Sequence, residues 1–225
     1  MAKGSINKSL CNIKDGVFLE EADDEDRTLI EEQARKEWST FVVSRGRELK
    51  PGGYLVVVTP SCNEGNTSTC HIAGGPMQLG GLVRNMYKEG LITEDEYLNT
   101  NFNTHYLRTE VDFREPFTHS HSEVTGLGLE MVSVRGSKHY VHHPVYDIVD
   151  KDAKEKEQYA EHIVAGIRPW LYYVIYGGLN QSRTETEKQT IVEEYFNRVY
   201  RHAYSNSNHK PYMVVSEVVI RKSNH

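Results

Sequence analysis

Apolar residues recur at helical intervals from Ile30 through Ala34, Trp38, Phe41 and Val42 to Leu49, which predicts a long helix with one apolar stripe. Thr28 and Glu31, three positions apart ahead of that stripe, have the spacing of a capping box and would set its start. Lys50-Pro51-Gly52-Gly53 ends it, because proline cannot continue the hydrogen-bond ladder and glycine takes positive φ at no steric cost. A run without alternation follows: Tyr54, Leu55, Val56, Val57, Val58, Thr59. It reads as a strand buried on both faces, as in a parallel or mixed sheet covered by helices. Residues 60–75 are rich in Ser, Asn, Thr and Gly and read as a long loop, at the end of a buried strand where α/β proteins build binding sites.

Leu79, Leu82, Val83, Met86 and Tyr87 form a second helical stripe that Gly90 ends, and Thr93 with Glu96 marks another short helix. Residues 100–126 are mixed and aromatic. Leu127, Leu129 and Met131 alternate as a second strand, with a further extended segment through Tyr140 and Val141. Two more helices follow. One carries Ile163, Ile167, Trp170, Leu171, Val174 and Ile175, with Pro169 as a kink or a fresh first turn. The other carries Ile191, Val192, Tyr195, Phe196, Val199 and Tyr200. Tyr212, Val214, Ser216, Val218 and Ile220 alternate through a closing strand. The order α-β-α-β-α-α-β is α/β, yet it holds too few strands for its helices, as though half a sheet were absent.

Charge and cysteine usage narrow the function classes. With 26 Lys and Arg against 32 Asp and Glu, the 225-residue chain carries a formal charge of −6, which argues against general nucleic-acid or anionic-membrane binding. Cys11, Cys62 and Cys70 cannot all pair internally and show no CxxC spacing, which points to a reducing compartment. No apolar run approaches the ~18 residues of a membrane span, so a soluble cytoplasmic protein is expected.

The helix, Pro-Gly-Gly turn and strand are also how class I S-adenosylmethionine (SAM) methyltransferases lead into their fifth strand. Over residues 35–59, "RKEWSTFVVSRGRELKPGGYLVVVT" resembles the corresponding helix and strand of the SABATH family, the salicylate/jasmonate-type carboxyl methyltransferases. "VRNMYKEGLITEDEYLNTNFNTHYLRT" (83–109), "FREPF", "GLGLEMVSV", "IRPW" and the closing "VVSEVVIRK" are similar to later blocks of that family, in the same order. "CNIKDGVF" (11–18) resembles the stretch just after the family's substrate-gripping His-Trp phrase. The resemblance implies the C-terminal half of a class I, Rossmann-like methyltransferase fold with a helical cap and without its N-terminal strands. In that reading one partial domain fills residues 1–225. It has a helix and central strand over 27–75, a helical cap over 76–126 and 150–205, and sheet strands over 127–148 and 211–222.

The implied activity is methyl transfer from SAM to the carboxylate of a small organic acid. This chain would supply pocket and cap, and most of the cofactor site would be missing. No strand followed by Gly-x-Gly-x-x-Gly occurs. No catalytic side chain is implied, since the nucleophile is already ionised and the leaving thioether is neutral, so orientation and desolvation carry the reaction. By position, Pro76 and Met77 fall where a bulky pocket residue stands in the family, a departure that would reshape the acid's site. Phe102 and Asn103 match the family's Phe-Asn, in some members a magnesium contact. Thr100 replaces the acidic residue expected two positions earlier, which argues against the metal. Tyr106 would offer its phenol to the substrate, and Ile163, Gly166 and Trp170 would sit on the lid helix facing it. Met77 and Trp170 have a plain alternative as core residues.

His119, His121, His139, His142 and His143, or Cys70-His71 with Cys62, invite a zinc reading, but no second pair at ligand spacing stands out, and surface histidines are the expected outcome. Residues 151–157, "KDAKEKE", read as a solvated helix start. Tyr172, Tyr173 and Tyr176 suit a half-buried dimer face. The rival to the enzyme is a non-catalytic, truncated methyltransferase-like protein. Its open, hydrophobic central strand would pair with a missing N-terminal half or a second copy.

Overall fold

A computed structural model describes residues 24–62, 70–71, 76–100, 106–118 and 122–224. They form two compact units: one from described residues within 28–69, 106–139 and 213–225, the other from those within 70–105 and 140–212 together with the start of the first helix.

The first unit carries the sheet. Helix α1 spans Asp24–Glu48 and so begins ahead of Thr28, which lies inside the helix with Glu31 instead of capping it. Ala34, Trp38, Val42 and Val43 form the buried stripe, and the last three pack into a cluster with Phe113, Val124, Leu129, Val134, Val218 and Ile220. Gly46 lets the helix come close to the sheet, because a Cβ there would collide with the side chain of Leu129. The turn after α1 closes through Gly53 N–H to the Lys50 carbonyl at 2.9 Å, with Gly52 at φ +76°. Lys222 donates to the Gly46 and Leu49 carbonyls at 2.9 and 3.0 Å, a cation on the helix C-terminus.

Strand β1 (Tyr54–Pro60) runs antiparallel to β4 (Tyr212–Lys222), the last strand of the chain, with Tyr54 opposite Arg221, Val57 opposite Val218 and Pro60 opposite Val215. Strand β3 (Leu129–Tyr140) also pairs with β4, in a four-stranded sheet of order β1-β4-β2 with β3 off that path, β2 being Cys70–His71. The Ser223 N–H to Gly128 carbonyl bond and the Arg221–Glu130 ion pair, both 2.8 Å, sit at one end of that pairing. The expectation that β1 is buried on both faces fails. Tyr54, Val56 and Val58 are 58%, 62% and 64% exposed, while Leu55 and Val57 pack against the cluster. The hydrophobic run reads as doubly buried, but the core covers one face only.

The second unit is helical. It contains the two-residue strand β2 (Cys70–His71), α2 (Pro76–Lys88), α3 (Glu94–Asn99), α6 (Pro144–Asp147), α7 (Ala153–Gly178) and α8 (Glu185–Ser205). Three short helices, α4 (Glu110–Arg114), a 3-10 turn (Glu115–Phe117) and α5 (Glu123–Gly126), belong to the sheet unit. Helices α7 and α8 pack together, and Ile163, Ile167, Leu171 and Ile175 meet Val192, Tyr195, Phe196 and Val199. The capping box expected from Thr93 and Glu96 forms, with both reciprocal bonds, and Asp152 with Glu155 and Thr184 with Glu187 cap α7 and α8 in the same way. Lys151 corrects the solvated reading of 151–157. It is 5% exposed, donates to the Ile148 carbonyl at 2.6 Å, and lies over the Tyr159 ring. An aliphatic stem that buries while its ammonium finds a carbonyl and a ring explains this.

The helical unit is locked by Glu96, which is 1% exposed. Its carboxylate accepts from Arg183 Nε and Nη2 at 2.5 and 2.7 Å, from Asn180 N–H at 2.9 Å and from Thr93 N–H at 2.9 Å. The Arg183 hydrogen bond, against the cost of burial, holds the carboxyl down at about 2. Replacing Glu96 with Gln should therefore cost about 3 kcal/mol in urea unfolding, the scale of a broken buried ion pair. The depressed value makes this contribution full above the unfolded carboxyl range near 4.5 and lost as pH falls toward 2, so the wild-type and Glu96→Gln stabilities should converge in acid. Gly178→Ala should cost about 1–3 kcal/mol, read as a lower urea midpoint, because the new methyl would overpack against Thr100. There it would meet the backbone N and Cα at 2.9 and 3.0 Å.

Candidate functional site

The end of β1 gathers the chemistry of the sheet unit. Ser61 follows the strand, fully buried, with its N–H on the Val214 carbonyl at 3.0 Å and its hydroxyl 2.8 Å from that of Ser216. It forms a parallel bridge with Arg108, and the Cys62 N–H bonds the Arg108 carbonyl at 3.0 Å. The Cys62 thiol donates to the Leu107 carbonyl at 2.9 Å. The segment 106–109 is thereby pinned beside the strand end. Thr109 then starts α4 through a capping box with Asp112, whose carboxylate accepts from the Thr109 N–H and hydroxyl, each at 2.8 Å.

This pinning sets Arg108 between two rings, 5.8 Å from the centroid of Trp38 and 5.9 Å from that of Tyr106. Its Nη2 donates to the Ala34 carbonyl of α1 at 2.7 Å. Trp38 is itself fixed, donating from Nε1 to the Phe113 carbonyl at 3.1 Å and packing edge-on against the Phe113 ring. Burial lowers the Arg108 value, and the carboxylates of Glu37 and Asp112 work in the opposite direction, so the guanidinium stays charged. Burial first, then the Asp112 carboxylate, pushes the Tyr106 phenol well above its ordinary value of 10.0 and keeps it protonated. A guanidinium clasped by aromatic faces and a phenol that stays neutral can recognise and orient an anionic group.

The other expected positions lie elsewhere. Ile163 is buried in the core of the helical unit. Gly166 and Trp170 are exposed on the same helix, α7, where the indole N–H donates to the Gly166 carbonyl at 2.8 Å and Trp170 is 48% exposed. Pro169 stands beside them and leaves the Ala165 carbonyl without its helical donor. Pro76 and Met77 open α2, with their side chains outside the described residues; Phe102, Asn103, His119 and His121 lie outside them altogether. Tyr106 belongs to the sheet unit and the α7 trio to the helical one. The helical unit also has a hollow of about 360 Å³ beside Tyr146, Val149 and Lys210, but Lys210 is neutralised there by Asp147.

The residues expected beside a magnesium ion, Phe102 and Asn103, lie outside the described residues. Thr100 brings no carboxylate, and its hydroxyl is committed to the Glu96 carbonyl at 2.8 Å. Among the described residues no three His, Cys, Asp or Glu side chains gather as a metal site. Among the described residues the glycines of positive φ, Gly52, Gly90 and Gly128, end helices and turns. No described helix is long and apolar enough to cross a membrane. Arg108 escaped sequence reasoning because its partners Ala34 and Trp38 lie some seventy positions away; the sole local signal was the aromatic-rich stretch that contains Tyr106.

No protein-family model and no curated protein matches the chain. Among solved structures it is similar to a candidate sarcosine dimethylglycine methyltransferase from Galdieria sulphuraria, at 9% identity and a TM-score of 0.28. The match covers 83% of this chain and 48% of that one, so the chain spans about half the length of that protein. A likeness this loose decides neither fold nor activity.

The Tyr106 phenol keeps its proton at a pH where the unfolded chain's tyrosine ionises, near 10. Its contribution is full below that value and is lost as pH rises toward the folded one. Urea stability should fall between pH 9 and pH 11, and Tyr106→Phe should make that fall shallower.

Proposed function

We propose that the chain is the C-terminal portion of a methyltransferase of SABATH type, acting on the carboxylate of a small organic acid. The observation that carries this reading is the pairing of β1 with β4. Two separate blocks that resemble the family, 35–59 and 214–222, become neighbouring strands in one ladder, and the Pro51-Gly52-Gly53 turn between α1 and β1 forms as a tight turn.

SAM, when bound, supplies an electrophilic methyl group on a sulfonium. The acid's carboxylate is ionised at neutral pH, so no base has to remove a proton. The work left to this chain is to bind and orient the acid. Arg108 offers the charge for that, and Trp38 and Tyr106 hold its plane, with the Tyr106 hydroxyl engaged by the Asp112 carboxylate. In this reading most of the cofactor site is missing from this chain. A second reading, a non-catalytic protein that acts through its sheet, is favoured by the uncovered face of β1.

Incubation with methyl-labelled SAM and a panel of small aromatic and aliphatic acids tests the first reading. The expected product is a base-labile methyl ester, with Arg108→Ala lowering its formation about 10–100-fold, the scale of a lost charge-assisted hydrogen bond. Label that resists base, or transfer that folded Arg108→Ala leaves unchanged, would contradict it.

A further inference from the structure

We infer that β1 is the contact strand of a symmetric dimer, in which the β1 edges of two copies pair antiparallel and join their two sheets into one. The inference stands on the geometry of the sheet unit and does not depend on the methyl-transfer reading.

The hydrogen-bond pattern shows which groups are on offer. The Lys222 N–H bonds the Gly53 carbonyl at 2.9 Å, and the Ser61 N–H bonds the Val214 carbonyl at 3.0 Å. In an antiparallel ladder these pairs recur at every second residue, so Leu55, Val57 and Thr59 turn their main-chain groups to β4. Tyr54, Val56 and Val58 turn theirs the other way, as does Cys62, whose N–H meets the Arg108 carbonyl at 3.0 Å. Among the described residues no strand pairs with β1 on that side. The same three residues are the ones whose side chains stand exposed on the uncovered face.

A second β1 is the occupant these features fit. The strand reads Tyr-Leu-Val-Val-Val-Thr-Pro and carries no charge, so a copy laid antiparallel meets an equal length of β-branched backbone with no like-charge contact. Natural edge strands are commonly guarded by charge, and β1 lacks that guard. The outer strand on the other side, β3, has it, with Glu130, Arg135 and Lys138. Among the described residues, pairing therefore uses up the unguarded outer edge of the sheet in each copy and closes at two. The charges of the uncovered face lie one strand further in: Glu217 on β4, and Arg221, which Glu130 holds. Across a β1–β1 junction the two β4 strands stand three strand spacings apart, about 14 Å, beyond the Debye length at physiological salt.

Size-exclusion chromatography with multi-angle light scattering on the full chain, from about 1 to 100 μM, tests this. The expected mass is twice that of the chain at the upper end. Val56→Pro removes an N–H that faces the open edge and leaves the β4 ladder intact, so it should shift the weight-average mass to one chain while far-UV circular dichroism stays unchanged. Val56→Lys, which keeps every main-chain donor, should do the same by charge. A monomeric wild type throughout the range would overturn the proposal. So would a dimer whose mass survives both substitutions in folded protein, or growth past two copies.

Discussion

The antiparallel ladder between β1 and β4 governs the sheet unit. It joins residues 54–60 to residues 215–221, so the unit cannot form until the last strand of the chain has returned to the first. Lys222 seals the arrangement by capping the C-terminal carbonyls of α1 from the far end of β4. Because β4 takes β1 on one side and β3 on the other, it is the interior strand, and it shows the cleanest alternation: Val214, Ser216, Val218 and Ile220 are buried while their neighbours are not. Loop closure over more than a hundred and fifty residues has to be met by cooperative burial elsewhere, and the cluster around Trp38, Phe113 and Ile220 provides it.

The helical unit obeys a different constraint. Glu96 serves two roles with one carboxylate, closing the capping box of α3 and binding Arg183 between α7 and α8. Such a group tolerates no replacement that removes charge without also releasing the arginine, which is why its chemistry is visible in acid. The Arg108 cluster contrasts with it. There the charge is only half enclosed, its partners are rings and one carbonyl, and donors remain for something else. One cation is spent inside the fold; the other is only half enclosed.

Much of this was legible in local sequence. The Thr93–Glu96 box, the Pro51-Gly52-Gly53 turn, the two long helices and the final alternating strand all follow from spacings within a few residues. What misled was equally local. Thr28 and Glu31 have capping spacing, but the acidic residues ahead of them make a better helix start at Asp24. The run 54–59 is apolar at every position, as a doubly buried strand would be, yet periodicity cannot say whether anything covers the second face. Lys151 reads as solvated by its neighbours and is buried by Tyr159, a contact no spacing rule anticipates. The candidate site was half legible: Tyr106 stood out through a resemblance, whereas Arg108 gains its meaning only when α1 passes beside it.

Amide hydrogen exchange along β1, followed residue by residue at low and high protein concentration, tests most directly whether this strand has one satisfied edge and one awaiting a copy of itself. The account predicts that Leu55, Val57 and Thr59 are protected at both concentrations, while Tyr54, Val56 and Val58 gain protection only at the higher. Fast exchange of those three amides at every concentration, or protection of all six in dilute solution, would contradict it.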